Sequence, residues 1–548
     1  MSIRHSAARA ESAVRRGLPI ALIVAAMIGL KVAILAAGAL PFNGDEAIVA
    51  LMARHILNGA RPAFFYGQAY LGSLDAWLVA IAFSTFGQSV VAIRIVQIAL
   101  FAGTLITTYR VAIRLGLDVW ASRWAVLWMA LPPTLLTLYT TATLGGYGET
   151  LLFGNILILI ALSISAPTEQ RPNAHWTQFM RWGLLGCMAG FAFWSFGLIL
   201  VYLIPLSIWL LVRHRLAAWR GYIVAGIGFA IGSAPWWLTI GQLGGSLIGE
   251  LTGSAVAGTL AAPTLLDGLG VRLISFFVFG LPAWLGLRYP WSPEFVLPLA
   301  GVAVAAIYLG AFVMAIRRGP RLLWGMIGVL LLTYLITPFG GDPSGRYFVP
   351  LYLPLSIFMA MLIGRLRNQL VHTVGLPMPG CASGLVGLVV ALIVGYNVAG
   401  TVLAVAQPHG ITTQFDHVTW IERGREQELI DFLLAHGETR GYTNYWVAYP
   451  IAFLSGEQIV SAARLPYHLD LRYTRRDDRY APYSQAVAES PRAFYITTNH
   501  PRLDDLIRTQ LSALGVTVNE ETIGSYHVFY SLSRKVEPEE LGLGETTP

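Results

Sequence analysis

The sequence predicts an all-α polytopic membrane domain followed by a soluble α/β domain, and three observations carry that prediction. Only 12% of the 548 residues are charged, against 55% hydrophobic, whereas soluble domains carry about 25% charged residues. Apolar runs such as 18–40 and 381–406 are long enough to cross a hydrocarbon core of about 30 Å as helices. From position 407 onward charge returns and apolar residues alternate with polar ones, the pattern of water-facing strands and amphipathic helices.

Residues 1–17 read as a cytoplasmic N-terminus and 18–406 as the membrane domain. The first apolar run is too long for a secretory signal, and no small-residue cleavage site follows it. Eleven spans are expected, at about 18–40, 89–111, 119–139, 150–165, 183–196, 197–212, 221–240, 294–316, 322–338, 349–364 and 381–406. Ser195 and Gly197 break what would otherwise be one very long helix. Between the first two spans, 45–58 reads as an amphipathic helix and 72–86 as a short apolar helix lying at the membrane surface. The stretch 242–263 is a polar, glycine-rich loop, and 264–287, interrupted by Asp267, Arg272 and Pro282, reads as interfacial or re-entrant.

Arginines orient this topology. The cytoplasmic segments hold seventeen and the outer loops five, namely Arg54, Arg61, Arg272, Arg288 and Arg346, in keeping with positive charge gathering inside. Counting 72–86 as a span would put Arg110 and Arg114 outside. An odd number of spans leaves 407–535 outside the cytoplasm, with helices expected at 426–436 and 502–514 and strands at 458–462, 493–497 and 526–532. The last residues, 536–548, read as a disordered tail.

The net charge of +7 belongs to those cytoplasmic loops and does not indicate nucleic-acid binding. Cys187 and Cys381 both sit in apolar runs, which fits helix packing rather than a disulfide or a metal pair.

The topology gathers three polar connections on the outer face: Asn43-Gly44-Asp45-Glu46, the stretch TTATLGGYGE at 140–149, and GGDPSGRY at 340–347. Ionisable groups at membrane depth are functional candidates. Asp45 stands first, at the end of a span and beside a glycine that permits close approach. Glu46 and Glu149 each open a helix, where a carboxylate either complements the helix dipole or meets substrate. Arg346 and, second to it, Arg272 either hold a phosphate bidentately or snorkel to headgroups. Asp75 and His55 read as structural. The many tyrosines of the outer domain (Tyr442, Tyr445, Tyr449, Tyr467, Tyr473, Tyr480 and Tyr483), with Trp446, either stack on carbohydrate or pack a core.

The pattern GDEAIVALMARHILNG at 44–59, FFYGQAYLGSLDAWL at 64–78, Arg94 shortly after a Phe-Gly, and Arg346-Tyr347-Phe348-Val349-Pro350 resembles the GT-C fold glycosyltransferases. It is similar to protein mannosyltransferases and to aminoarabinose transferases of lipid A, over roughly residues 20–370. The resemblance implies a hexosyl- or pentosyltransferase of a bacterial cytoplasmic membrane that takes a sugar from a polyprenyl-phosphate donor. The acceptor would be a cell-envelope glycan, lipid or protein. Asp45 would be the general base, or would orient the acceptor hydroxyl for attack on the anomeric carbon with inversion, and Arg346 and Tyr347 would meet the donor. Glu149 would help bind the acceptor or, with Asp45, a divalent metal. Aminoarabinose transferases carry a Lys-Pro-Pro in the first loop that helps bind phosphate. The matching stretch here, about 68–72, has no lysine, so Gln68 and Tyr70 are left to donate hydrogen bonds without charge.

A transporter or flippase for lipid-linked saccharides is the competing class. Transporters show repeats and ionisable residues in the middle of spans, whereas the spans here are nearly charge-free, Lys31 excepted. A polymerase or ligase using a larger lipid-linked glycan shares the donor chemistry and is separated only by donor size.

Overall fold

A computed structural model describes residues 2–166, 174–239, 265–372 and 379–543. The expected loop at 242–263 lies outside them. Among the described residues, seven helical segments are long and apolar enough to cross a membrane: Leu18–Ala36, Val90–Arg114, Tyr147–Ile164, Gly197–Gly232, Pro298–Arg318, Arg346–Leu370 and Val386–Val405. The chain is a multi-pass membrane protein. The other expected spans differ in form. Pro132 and Pro133 divide 119–139 into helices Val119–Ala130 and Thr134–Tyr139, because proline removes a helical hydrogen bond and clashes with the preceding turn. A one-turn 3-10 helix, Gly197–Ile199, separates Ala174–Ser195 from Leu200–His214. The stretch read as interfacial is helical at Leu265–Ile274, π-helical at Ser275–Gly280 and α-helical again at Leu281–Trp284.

The lysine within the first span is paired, as an apolar surround requires. Lys31, 2% exposed, donates to the Thr140 carbonyl at 2.7 Å and to the Thr140 and Thr141 hydroxyls at 2.8 and 2.7 Å. The first span is thereby tied to the connection before the glycine turn. Small residues set the closest helix crossing. A Cβ on Gly186 would lie 1.9 Å from the Ala225 carbonyl oxygen, and one on Gly232 would lie 2.0 Å from that of Cys187, so only glycine lets these backbones meet.

The first connection folds as helix Gly44–Leu57, a hairpin of strands β1 (Phe64–Phe65) and β2 (Gln68–Gly72), and helix Leu74–Phe86. The C-terminal region carries a mixed five-stranded sheet. Its strands are β3 (Arg440–Thr443), β4 (Val460–Ala463), β5 (Phe494–Thr498), β6 (Asn519–Ile523) and β7 (Tyr526–Tyr530), in the order β4-β3-β5-β7-β6. β3 runs parallel to β4 and β5, while β7 is antiparallel to β5 and β6. Helix Tyr445–Leu454 packs against helix Gly44–Leu57 through Tyr445, Ala448 and Ala452. The tail expected to be disordered is ordered through Leu543. Val536, Leu541 and Leu543 are buried, and Glu537 and Glu540 form a capping box around Pro538–Leu541. These apolar side chains close one face of the sheet.

The two regions are joined by a polar latch. Glu457 accepts from Tyr483 at 2.7 Å, meets His55 Nε2 at 3.0 Å, and lies 3.5 Å from Arg54. Burial pushes the Glu457 carboxyl up, but His55, Tyr483 and Arg54 outweigh it and hold the group at about 2. The ionised latch therefore contributes fully above the ordinary value of 4.5 and is lost as pH falls through about 2. The contribution is at most ~3 kcal/mol. Limited proteolysis of the 412–424 connector should accelerate as pH falls below 4.5. Glu457→Gln should be cleaved faster already at neutral pH and lose that acid dependence. Equal cleavage of both proteins at every pH removes the latch from the account.

Candidate active site

The first connection, the glycine turn, the 342–347 loop and the C-terminal region line one cavity of about 770 Å³. Asp45, Gln68, Tyr70, Arg346 and Tyr347 all reach it.

Asp45 is placed by the start of its helix. Asn43 caps that helix by accepting from the Glu46 N–H at 3.1 Å, which fixes where the first turn begins. Gly44 admits a neighbour rather than a ligand: a Cβ there would lie 2.7 Å from Tyr445 Cε1. The Tyr445 hydroxyl donates to Asp45 Oδ1 at 2.5 Å. Burial, then the Asp45 charge, pushes the Tyr445 hydroxyl well above its usual range, so it stays an O–H donor. One carboxylate oxygen is thus oriented, and Oδ2 lies outside this bond.

Arg346 opens the 3-10 turn Arg346–Leu351. Its Nε lies 2.7 Å from Asp342 Oδ2, and its Nη2 donates to the Tyr347 hydroxyl at 3.2 Å. The loop is fixed from behind by Arg288, 1% exposed, which donates to the carbonyls of Phe279 at 2.9 Å, Ser292 at 2.6 Å, and Pro343. Another flank of the cavity is apolar, formed by Leu198, Leu200, Val201, Val329 and Leu330. Leu200 heads a stripe of exposed apolar side chains, Ile204, Ile208 and Leu211, on a segment long and apolar enough to cross a membrane, so this flank of the cavity adjoins an exposed apolar surface.

Three expected site residues are turned elsewhere. Glu46 is fully buried against Arg94, whose Nε and Nη2 meet its two oxygens at 3.1 and 3.0 Å. Glu149, also fully buried, faces Asp75 behind the glycine turn. Asp75 in turn accepts from Gln97 and Thr143, each at 2.7 Å. Arg272 donates to the Leu335 carbonyl at 3.0 Å, satisfying an end of helix Arg321–Ile336 that lacks an internal partner. Gln68 has the opposite role to the one expected. With its carboxamide oxygen turned to the neighbouring guanidinium, it accepts from Arg479 at 2.7 and 2.8 Å and from the Tyr70 hydroxyl at 3.0 Å. The expected metal pair is not assembled: Asp45 lines the cavity and Glu149 does not. Among the described residues no three His, Cys, Asp or Glu side chains gather to hold an ion.

The C-terminal region contributes groups that sequence reasoning missed. Arg479 and Asp477 line the cavity, as do Asp416, His468 and Arg472. Burial pushes the Asp477 carboxyl up to about 6, with Arg479 and His468 pulling it back and Asp45 adding to the rise. His468 Nδ1 lies 2.7 Å from Asp416 Oδ2, and that contact holds Asp416 below its usual range. The one signal in the sequence was aromatic. Of the aromatic set noted there, Tyr445, Trp446 and Tyr467 reach the cavity, while Tyr442 and Tyr449 are buried at 1% and 2% exposure in core clusters.

No family profile matches this chain, and no curated protein matches it in sequence. Solved structures do match. ArnT from Cupriavidus metallidurans in the apo state superposes with a TM-score of 0.56 at 12% identity, covering 93% of this chain and 97% of that one. The same protein bound to undecaprenyl phosphate gives 0.54 over the same shares. The apo oligosaccharyltransferase of Archaeoglobus fulgidus gives 0.50 at 12% identity, over 88% of this chain and 70% of that one. The chain has the GT-C fold that its loop motifs predicted.

Proposed function

We propose that this protein is a membrane glycosyltransferase that moves a sugar from a polyprenyl-phosphate donor to a cell-envelope acceptor. The reaction takes place in the cavity, on the outer face of a bacterial cytoplasmic membrane. One observation carries the reading: Asp45 and Arg346 line the same cavity, and an apolar flank of that cavity adjoins an exposed apolar surface. A carboxylate beside a phosphate-binding cation suits glycosyl transfer, and the flank suits an isoprenoid chain entering sideways. That ArnT has been crystallised with undecaprenyl phosphate on the same fold supports a lipid phosphate as the leaving group.

In this mechanism the acceptor hydroxyl attacks the anomeric carbon from the Asp45 side. The bond from that carbon to the phosphate oxygen breaks, and its electron pair leaves on polyprenyl phosphate. The hydroxyl proton passes to Asp45 Oδ2, while Tyr445 holds Oδ1. Arg346 meets the charge growing on the phosphate, where a guanidinium is worth more than in water. Attack opposite the leaving group inverts the anomeric centre.

The test is to incubate the purified protein with a panel of polyprenyl-phosphate sugars and measure free polyprenyl phosphate. Release from a monosaccharide donor is expected. Release only from lipid-linked oligosaccharides would assign a polymerase or ligase, and no release from any donor would return the transporter reading. A reporter fused after Leu532 should report a location outside the cytoplasm.

A further inference from the structure

We infer that Arg479, supplied by the C-terminal region, is a second binding group for the donor phosphate, so that the donor site is complete only when that region is docked. The inference rests on the proposed reading of the cavity as a polyprenyl-phosphate sugar site.

Arg479 lies between the 3-10 turn Arg475–Asp477 and helix Ala481–Glu489. Its backbone N–H donates to the Tyr449 hydroxyl at 2.6 Å, which fixes the chain where the side chain departs. The side chain is 9% exposed, yet it lines the cavity. Its short contacts among the described residues are neutral, namely the Gln68 amide oxygen at 2.7 and 2.8 Å, the Gly67 carbonyl at 3.4 Å and the Tyr445 ring with its centroid 5.6 Å away, and the Asp477 and Asp45 charges act on it from farther off.

Two other enclosed arginines touch a carboxylate, Arg94 with Glu46 and Arg346 with Asp342, while the enclosed Arg288 donates to the backbone carbonyls of Phe279, Tyr289, Ser292 and Pro343. Among the described residues no carboxylate lies within ion-pair distance of Arg479, and its buried Nε has no hydrogen-bond partner. The indole Nε1 of Trp446, which lines the same cavity, is likewise buried without a partner. Burial works against the Arg479 charge while Asp477 and Asp45 support it from beyond ion-pair distance, and an anion entering the cavity meets the open Nε donor directly.

The position fits the donor. The hairpin at 62–72 carries no lysine or arginine of its own, and Arg479 is the cation that packs on it. Tyr70, Arg346 and Arg479 line the same cavity, and burial pushes the Tyr70 hydroxyl up while both guanidiniums pull it down. One is fixed by the membrane domain and the other by the C-terminal region.

The experiment titrates full-length protein in nanodiscs with undecaprenyl phosphate, uncharged undecaprenol, phosphatidylglycerol and inorganic phosphate, using wild type, Arg479→Gln and Arg479→Lys. Arg479→Gln should weaken undecaprenyl phosphate binding about tenfold or more and leave undecaprenol binding unchanged. Arg479→Lys should recover part of the loss. Equal weakening for undecaprenol and its phosphate would make Arg479 a positioning residue and overturn the inference. So would unchanged phosphate binding in Arg479→Gln, or wild-type binding of phosphatidylglycerol or inorganic phosphate as tight as that of undecaprenyl phosphate. If Arg479→Gln does not fold, Arg479→Lys decides: selective loss of phosphate-lipid affinity supports the inference, and undiminished affinity overturns it. Wild type that turns over donor alongside an indifferent Arg479 variant sinks only this inference. Wild type that neither binds undecaprenyl phosphate nor turns over donor sinks the proposed function as well.

Discussion

Asp45→Asn is expected to lower sugar transfer by about 10²–10⁴-fold, the range for removing a positioned general base, while leaving polyprenyl-phosphate binding and thermal stability close to wild type. The substitution keeps an oxygen to accept from Tyr445, whose hydroxyl meets Oδ1 at 2.5 Å, so the local geometry survives and only the proton acceptor is lost. Tyr445→Phe should cost less, about tenfold, because it frees the carboxylate to rotate without removing it. Initial rates of polyprenyl-phosphate release measure both. Turnover of Asp45→Asn within about tenfold of wild type would end its assignment as the base, whatever else the cavity does.

The parts of this molecule that could be read in advance are those written locally. Apolar runs give spans, Asn43-Gly44-Asp45-Glu46 marks a capped helix at the end of one, and Arg346-Tyr347 marks the opposite wall. The roles of neighbouring acids could not be read this way. Glu46 and Asp45 are adjacent on one helix turn and differ by about 100° around its axis. That rotation sends one into an ion pair with Arg94 and leaves the other in the cavity. Arg479 was out of reach for another reason. It meets Gln68 from more than four hundred residues away, through a docking that depends on Gly44, Gly67 and the Glu457 latch, and no short-range spacing encodes that approach. The ordered end at 537–543 was misjudged because its charge masked two leucines that close the sheet. The kinked stretch at 119–139 was read as one span because its apolar character runs unbroken through Pro132 and Pro133.

The second large effect is expected one residue further on, and it is of the opposite kind. Glu46→Gln should destabilise the protein by ~3–5 kcal/mol, the cost of leaving one member of a buried ion pair without its partner. Glu46 is fully buried, Arg94 is 7% exposed, and among the described residues the arginine's other hydrogen bond is to the Pro41 carbonyl at 3.2 Å. A neutral amide satisfies the hydrogen-bonding shape but not the charge. The double substitution Glu46→Leu with Arg94→Met should recover most of the loss, since removing both charges ends the need to compensate either. Thermal unfolding in detergent, read together with transfer rates per folded molecule, separates the two acids. Asp45→Asn should be stable and inactive, and the Glu46/Arg94 pair replaced together should be stable and active. If the double substitution folds but does not transfer, Glu46 does more than hold the helix. The acidic pair would then act as a unit, with Arg94 fixing the height at which Asp45 enters the cavity.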